Sequence, residues 1–320
     1  MRKIIMPRAF NLVHLTDFHL FQPHGTTWRD FLNKRSLSYL SWRLHRRRKN
    51  SRGVLSAVLD FLPTLAWDHV VITGDLTHMG LPREGQLARR YLERIGPAER
   101  VLVIPGNHDA MVPSAVKVCH DLWRSYMASD AEYQKGPMFG RDCYPTVRVR
   151  EGVALIGLSS ARPTRPFSAA GWLGSPQLQR LAAILSATGQ QHLFRVLLIH
   201  HPFFPGQVSP RKGLRDAAVL RNVLGRHGAE LVLHGHTHHH SHALLSGPAG
   251  AIPVIGLPSS TGNRSTGAKS ACLRVYTILP RSGGWQIKVH DYRQASRGRM
   301  GPAEGPGVLS PWQTQPNIEA

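Results

Sequence analysis

The chain repeats short apolar runs rich in Val, Ile and Leu, and each run ends in a cluster of polar residues. Runs of this length and β-branched content are typical of buried strands. Between several of them lie segments whose apolar residues recur at helical spacing. The predicted strands are Asn11–Thr16, His69–Thr73, Val101–Ile104, Val153–Leu158, Arg195–Ile199, Leu231–Leu233 and Ile252–Ile255. The predicted helices are Val54–Leu62, Glu84–Ile95, Val112–Met127, Gln177–Leu185 and Asp216–Arg226.

A hairpin is predicted late in the chain. Two further apolar runs, Leu273–Leu279 and Trp285–Tyr292, flank a Ser-Gly-Gly turn, which favours a tight connection between antiparallel strands. Together these elements predict one α/β domain over residues 9–293, with two mixed sheets and helices outside them. Residues 294–320 are rich in Gly, Pro and Arg without apolar periodicity, so this tail is predicted to be disordered.

Composition changes this picture mainly through charge. Of 320 residues, 42% are hydrophobic and 18% are charged, which suits a folded soluble protein. Lys and Arg number 40 against 19 Asp and Glu, a formal charge of +21. This surplus indicates a polyanionic partner: nucleic acid, anionic lipid or a phosphorylated substrate.

The three cysteines form no CxxC pair, and neither a signal peptide nor a membrane span is evident. We therefore expect reduced thiols in a cytoplasmic protein.

Five polar clusters follow predicted strands, where active sites collect in α/β sheets. Each pattern is common alone, and a single strand-end histidine more often has a structural role. Their joint occurrence in this order indicates a metal site. Carboxylates, an amide oxygen and imidazoles suit Mn, Fe, Zn or Ni rather than Ca, and the lack of thiolates argues against a zinc finger. The clusters are Asp17-Phe18-His19, Gly74-Asp75, Gly106-Asn107-His108-Asp109, His200-His201 and His234-Gly235-His236-Thr237-His238.

The spacing within the clusters allows shared ligation. In an extended segment, side chains two residues apart point to the same side, so Asp17 and His19 can reach one ion, as can His236 and His238. Asp75 has two carboxylate oxygens and can bridge two ions. Three glycines let the backbone turn tightly beside the cations. They are Gly74, Gly106 and Gly235.

This order of motifs (DxH, GD, GNHD, H, GHxH) resembles that of the calcineurin-like metallophosphoesterases, and it spans residues 17–238. The resemblance implies a four-layer α/β/β/α sandwich with a dinuclear site at strand ends. It also implies two divalent cations, with Mn²⁺ expected first and Fe or Zn as alternatives. By this resemblance, Asp17, His19, Asp75 and His238 hold one ion, and Asp75, Asn107, His200 and His236 hold the other.

The resemblance also assigns catalytic roles. Two ions would activate a water for in-line attack on phosphorus and neutralise charge in the transition state. His108 would lie near the leaving oxygen, where an imidazole can donate a proton near neutral pH, and Asp109 would orient it. His201 either contacts substrate or has a structural role. Three further histidines are expected on a solvated loop: His239, His240 and His242.

Residues 28–52 form a basic insert between the first two motifs. Leucines and aromatic residues recur there at helical spacing, and Lys and Arg supply nine cations. An aromatic, basic amphipathic helix is typical of a membrane-surface element. A helix packed on the core with a solvated basic face is the alternative, and a nucleic-acid groove is less favoured because no Gly-aromatic pattern is present. The predicted membrane- or substrate-binding residues are Trp42, Arg43, Arg46, Arg47, Arg48 and Lys49.

Within the family, an insert at this place resembles that of the UDP-2,3-diacylglucosamine pyrophosphatases, in particular their longer, chlamydial-type form. These enzymes cleave a nucleotide-linked lipid during lipid A assembly, which implies a peripheral position on the inner face of the membrane. The alternative is a bacterial cyclic-nucleotide phosphodiesterase, which shares all five motifs. A nuclease is disfavoured because no second DNA-binding module is visible. A non-catalytic scaffold is disfavoured because every ligand position is filled.

Overall fold

The computed structural model describes residues 8–22, 26–43, 51–134, 143–263, 270–296, 299–303 and 312–313. Helices α1–α6 are Arg35–Ser41, Arg52–Phe61, Pro82–Ile95, Pro113–Met127, Ser175–Gln190 and Ala217–His227. Short 3-10 turns occur at Trp28–Phe31, Leu62–Thr64, Ala98–Arg100 and Ala131–Tyr133. Strands β1–β7 are Phe10–Leu15, His69–Ile72, Val101–Val103, Thr146–Arg150, Val153–Gly157, Phe194–Ile199 and Leu231–His234. Strands β8–β13 are Ser241–Gly247, Gly250–Gly256, Cys272–Arg281, Gly284–Ser296, Arg299–Pro302 and Trp312–Gln313.

The strands form two mixed sheets, as predicted. The first runs in the order β12-β11-β10-β1-β2-β3, with β13 pairing β11. Its β1, β2 and β3 are parallel, and β10 is antiparallel to β1. The second runs in the order β4-β5-β6-β7-β9-β8, with β5, β6, β7 and β9 parallel. Parallel neighbours bring the carboxyl ends of their strands to one edge, where the polar clusters follow.

The core confirms the four-layer sandwich. Alternate residues of a strand face opposite sides of its sheet, and β1 illustrates this. Val13 and Leu15 pack with the apolar residues of α2, α3 and α4. Phe10 and Leu12 pack in the cluster that joins the two sheets. A third apolar cluster fixes α5 and α6 on the outer face of the second sheet.

Two strands within residues 9–293 escaped the sequence prediction. β4 (Thr146–Arg150) contains no apolar run, because arginines alternate with valine. Arg148 is nonetheless buried, and its guanidinium donates hydrogen bonds to backbone carbonyls, including those of Ala128 and Val101. β8 (Ser241–Gly247) lies at the edge of its sheet, and three of its seven residues are exposed. Neither strand has the continuous apolar character by which a buried strand is recognised in sequence.

The predicted disorder of the tail is wrong for the residues that the structure describes there. β11 continues to Ser296, and Arg299–Pro302 and Trp312–Gln313 pair with it as additional strands. Both are peripheral and short, so they need no long apolar run. The other residues beyond 296 lie outside the described part of the chain.

Cys119 and Cys272 are buried and Cys143 is half-buried, and none of these three forms a disulfide, in agreement with the predicted reduced thiols. None of the helices in the described ranges is long and apolar enough to cross a membrane.

Candidate metal centre

The five polar clusters lie together at the strand ends, on loops with an uncommon backbone conformation. Asp17, His19, Asp75, His236 and His238 all have positive φ, between 45° and 69°. A non-glycine residue in this region costs on the order of 1–3 kcal/mol, and such residues concentrate at functional sites. Backbone bonds between loops hold the conformation: the Asp17 N–H donates to the Gly74 carbonyl (3.0 Å), and His19 donates to Asp75 (2.9 Å).

One half of the centre contains Asp17, His19 and His238. The Nε2 atoms of the two histidines are 2.9 Å apart. His238 Nε2 is 3.3 Å and His19 Nε2 is 3.7 Å from Asp17 Oδ1. Three donor atoms thus converge within the reach of one cation.

The other half contains His200, Asn107 and His236. His200 Nδ1 donates to the Thr73 carbonyl (2.7 Å), so in the neutral ring, the form that binds a metal, Nε2 carries the lone pair. That Nε2 faces the Asn107 Oδ1 (3.1 Å) and the His236 Nδ1 (3.2 Å). A backbone carbonyl that fixes the tautomer in this way is the usual support of a metal-binding histidine.

Asp75 lies between the halves. Its Oδ1 accepts a hydrogen bond from the His108 backbone N–H at 2.8 Å. Its Oδ2 is 3.4 Å from His200 Nε2 and 3.7 Å from His19 Nε2. One carboxylate oxygen therefore faces both groups of donors, which is the arrangement of a bridging ligand.

The electrostatics fit a cation. Burial alone would raise the pKa of Asp75, but the neighbouring His200, His108 and His19 hold it well below its usual range. Burial alone would lower the pKa of His200, but the Asp75 carboxylate raises it to about 9. The carboxylates thus stabilise positive charge inside a buried, mixed O/N donor set, as a divalent transition-metal ion requires.

Two of the predicted glycines act through close approach rather than a special φ. A Cβ on Gly106 would lie 2.2 Å from Asp75 Oδ1, and one on Gly235 would lie 2.6 Å from Asp17 Oδ2. Both carboxylates therefore lie directly against backbone that only glycine can provide. Gly74 combines close approach with a φ of +98°, as expected for a tight turn.

His108 lies at the rim of the centre, but Asp109 does not have the geometry predicted for it. The Asp109 carboxylate accepts hydrogen bonds from the backbone N–H groups of Gly106, Leu76 and Thr77. His108 Nδ1 instead faces the carbonyl oxygen of His78 at 2.5 Å. The orienting group is thus the His78 carbonyl, and Asp109 joins the loop after β2 to the loop after β3. Burial, and then Asp75, raise the pKa of Asp109 to about 6.

The other histidines have different surroundings. His201 is buried, with Nδ1 2.7 Å from Ser160 Oγ and Nε2 2.9 Å from the Ala169 carbonyl. Both ring nitrogens are engaged, which favours the structural role. His240 is half-buried near Cys272 and Asp291 rather than on a solvated loop. His239 is also half-buried, and His242 belongs to β8.

The basic insert begins with two cations that point inward. The Arg35 side chain is buried and donates to the carbonyls of Met79 (2.9 Å) and Gly80 (2.8 Å). Lys34 Nζ donates to Thr164 Oγ1 at 2.5 Å. Arg35 thus fixes the insert to the loop after β2, and Lys34 fixes it to the segment after β5, so neither side chain is available to a membrane.

Within the described part of the insert, the predicted amphipathic helix is present only as the short α1. A 3-10 turn and the seven-residue α1 occupy this part, and Ser51 already precedes α2. Trp42 is half-buried against Phe21, with ring centroids 4.0 Å apart, and Arg43 is exposed. Four predicted cations lie outside the described residues: Arg46, Arg47, Arg48 and Lys49.

Sequence reasoning missed several residues that support the centre. His78 is buried, and its ring lies 5.2 Å from that of His108 and 5.9 Å from that of His19. Ser259 Oγ donates to the Asp17 carbonyl at 2.5 Å. The sequence gives only weak indications of these two residues. His78 follows the GD motif by three residues, and Ser259 lies after a strand that carries no motif. Buried polar residues within β1 and just after β2, His14 and Thr73, were a clearer signal.

Comparisons with known proteins agree with this fold. A family model described as calcineurin-like phosphoesterase matches residues 10–240, more than half of the chain. A comparison with curated proteins gives no match.

Several solved structures share the architecture at low sequence identity. A dimetal phosphatase from Danio rerio is 15% identical with a TM-score of 0.59, over 92% of this chain and 98% of that one. A purple acid phosphatase from yellow lupin (Lupinus luteus) seeds is 10% identical with a TM-score of 0.56, over 90% and 52%. A sulfate thiohydrolase of Thermus thermophilus is 17% identical with a TM-score of 0.51, over 92% and 57%. The chain thus spans about half of the latter two proteins.

Proposed function

The chain belongs to the calcineurin-like phosphoesterase family and is a metal-dependent phosphohydrolase, and we propose that it cleaves a nucleotide-linked lipid at an anionic membrane surface. The observation that carries the hydrolytic part is the Asp75 Oδ2 atom, which faces His19 on one side and His200 on the other. The observation that supports the membrane part is the set of exposed apolar side chains on the insert and on the segment that contacts it.

We assign the two ligand sets as the family resemblance implies them. Asp17, His19, Asp75 and His238 would hold one divalent ion, and Asp75, Asn107, His200 and His236 would hold the other. Two ions bound there would activate a water for attack on phosphorus and neutralise the developing charge.

His108 would act on the leaving oxygen. The His78 carbonyl accepts the Nδ1 proton of His108, so His108 would act through Nε2 when it carries a second proton. An imidazolium at this place can donate that proton to the departing oxygen.

The membrane proposal rests on apolar side chains that a soluble protein usually buries. Within the described residues, seven large hydrophobic side chains are exposed, and three belong to the insert: Trp28 (67%), Leu32 (72%) and Leu40 (52%). Phe167 (75%) and Trp172 (39%) belong to the segment to which Lys34 binds through Thr164 and Ser168. Five of the seven thus belong to the insert and to the segment that contacts it.

Charge favours the same partner. Arg29 and Arg43 of the insert are exposed as well, and the Arg29 guanidinium lies over the Trp28 ring. The chain carries +21 overall. Apolar side chains interleaved with cations match an anionic leaflet, since each cation near it contributes about 1 kcal/mol. A soluble cyclic nucleotide would require no such surface. For this reason we favour a UDP-2,3-diacylglucosamine pyrophosphatase activity over a cyclic-nucleotide phosphodiesterase activity.

A product assay tests the substrate. Purified protein with Mn²⁺ is offered UDP-2,3-diacylglucosamine in mixed micelles and cyclic AMP in parallel. We expect UMP and the lipid monophosphate to form from the first substrate, with little AMP from the second. Efficient hydrolysis of cyclic AMP alone would contradict the proposal.

Liposome co-sedimentation tests the surface. The triple variant Trp28→Ser, Leu32→Ser, Leu40→Ser should lose most binding to anionic vesicles while its turnover of bis-p-nitrophenyl phosphate stays near wild type. Val219→Ser with Leu244→Ser, which removes two other exposed apolar side chains outside the insert (50% and 51%), is the control and should pellet normally. Equal pelleting of both variants would contradict the assignment of this surface.

A further inference from the structure

A chain of buried hydroxyl groups leads from Asp17 to a histidine outside the proposed ligand set. Thr16 Oγ1 donates to Asp17 Oδ2 at 2.6 Å. Thr73 Oγ1 donates to Thr16 Oγ1 at 2.8 Å, and His14 Nε2 lies 2.9 Å from Thr73 Oγ1. All four residues are fully buried, so these polar groups rely on one another as hydrogen-bond partners.

The direction of each bond in this chain is determined. The Asp17 carboxylate only accepts, so the Thr16 proton points to it. The Thr73 proton points to Thr16, since each hydroxyl has a single proton. His14 must therefore donate its Nε2 proton to Thr73. Burial, and then Arg274 and His234, lower the pKa of His14 well below its usual range, so the ring is neutral with its proton on Nε2.

Thr73 also supports the other half of the centre by a separate group. Its backbone carbonyl accepts the His200 Nδ1 proton at 2.7 Å, whereas its hydroxyl belongs to the chain that leads to Asp17. The side chain and the backbone of one residue thus fix donors on both sides of Asp75. A substitution that removes only the Thr73 hydroxyl should therefore affect the half of the centre that contains Asp17 and leave the half that contains His200 intact.

We propose that His14, Thr73 and Thr16 form a positioning relay that fixes the Asp17 carboxylate for one of the two metal ions. The inference rests on the proposed function, because it takes Asp17 as a ligand. His14 is a positioning residue: it contacts neither ion nor substrate and acts only through the two hydroxyls. Groups that hold a metal ligand from outside typically change metal affinity by about 10- to 100-fold when removed.

The relay is tested by Mn²⁺ titration of metal-free protein in a calorimeter. Wild type should bind two equivalents. Thr73→Val removes the hydroxyl and keeps the carbonyl, so one equivalent should weaken by about 10- to 100-fold and the other should change less than about twofold. His14→Leu should give the same pattern. The double variant Thr16→Val, Thr73→Val should weaken Mn²⁺ binding no more than either single variant, because both substitutions interrupt the same series of hydrogen bonds.

Conservative variants and a matched control separate the relay from general damage. Thr73→Ser keeps the hydroxyl, and His14→Gln keeps an N–H donor near the Nε2 position, so both should bind metal like wild type. Thr188→Val removes another buried hydroxyl, which donates to the Ile184 carbonyl, and should leave both affinities unchanged. If Thr73→Val fails to fold by circular dichroism, Thr16→Val carries the test.

Unchanged affinities in Thr73→Val, or equal weakening of both equivalents, would overturn the relay. Binding of fewer than two ions by wild type is a different result and would overturn the proposed centre itself.

Discussion

The metal centre and the basic insert are neighbours with opposite constructions. Most proposed ligands of the centre are buried, and each lies at or after a strand end, where loop-to-loop bonds such as Asp17 N–H to Gly74 O hold the backbone. The insert has a seven-residue helix and exposes Trp28, Leu32 and Leu40. Two of its cations, Lys34 and Arg35, fix it to the core.

This difference in construction suits the two parts of the proposed function, hydrolysis at the centre and choice of substrate at the insert. Chemistry requires donor atoms held within tenths of an ångström, and the strained backbone of the centre provides this. Choice of substrate requires an accessible surface, and the insert provides one. Changes in the centre should therefore alter turnover of any phosphoester, whereas changes in the insert should alter only where the protein binds. The four predictions below are ordered by their expected effect on turnover of bis-p-nitrophenyl phosphate, a small soluble substrate.

Asp75→Asn should have the largest effect. Loss of the bridging charge would weaken both ion sites, and we expect turnover to fall by roughly 10³-fold, as when charge stabilisation of a transition state is lost. Steady-state kinetics at saturating Mn²⁺ measure this. Asp121→Asn, an exposed carboxylate paired with Lys117, is the control and should behave like wild type. Near-normal turnover of Asp75→Asn would remove it from the bridging position.

His108→Ala should lower kcat by about 10²-fold or more, because the proton donor to the leaving oxygen is lost. Metal content should stay at the wild-type level, since His108 is not among the proposed ligands. Metal analysis and kinetics on the same preparation check both points, with the exposed His192→Ala as control. Loss of one metal equivalent would instead make His108 a ligand.

Glu84 joins the two regions, and its substitution should change stability rather than turnover. It is buried and accepts hydrogen bonds from the N–H groups of Met79 and Leu81, beside the Arg35 anchor. Burial raises its pKa from 4.5 to about 7 despite these bonds. The folded state therefore binds more protons than the unfolded state between these values, and stability falls as pH rises through this window, by up to about 3 kcal/mol.

Urea unfolding at pH 5 and pH 8 tests this linkage. Wild type should lose more stability between the two values than Glu84→Gln, which cannot titrate. Glu93→Gln lies exposed on the same helix and should keep the wild-type difference. An identical pH dependence in wild type and Glu84→Gln would show that Glu84 is ionised in the folded protein at both values.

Replacement of Arg46, Arg47, Arg48 and Lys49 by Gln should have the smallest effect on turnover, within about twofold, because the proposed ligands lie elsewhere. Binding to anionic liposomes should drop, and wild-type binding should weaken with salt, since exposed charges are screened over roughly 8 Å at physiological ionic strength. Co-sedimentation at low and high salt measures both. Equal pelleting of the two proteins would exclude these cations from the membrane surface and favour the cyclic-nucleotide alternative.

The candidate ligands of the centre could be predicted from the sequence because each belongs to a short motif that can be recognised without knowing the fold. DxH, GD, GNHD and GHxH each follow an apolar run, and parallel strands bring such run ends together. The relay could not be predicted in the same way. The Thr73–Thr16 bond depends on the pairing of β1 with β2, where Leu15 is the partner of Ile72, and register is a property of the folded sheet.

In the insert, residue type alone does not predict which cations are buried and which are exposed. Arg35 and Arg43 are the same residue type eight positions apart, yet one is buried on backbone carbonyls and the other is exposed. Only the position of the acceptors on the loop after β2 distinguishes them. β4 illustrates the same point, because its buried Arg148 interrupts the apolar run that would have marked a strand.

The two-ion centre is tested most directly by titrating metal-free protein with Mn²⁺ while bound metal and hydrolysis of bis-p-nitrophenyl phosphate are followed together. The geometry around Asp75 predicts that two equivalents bind and that activity appears only as the second site fills. Full activity at one equivalent, or no stoichiometric binding at all, would contradict a dinuclear phosphoesterase centre in this chain.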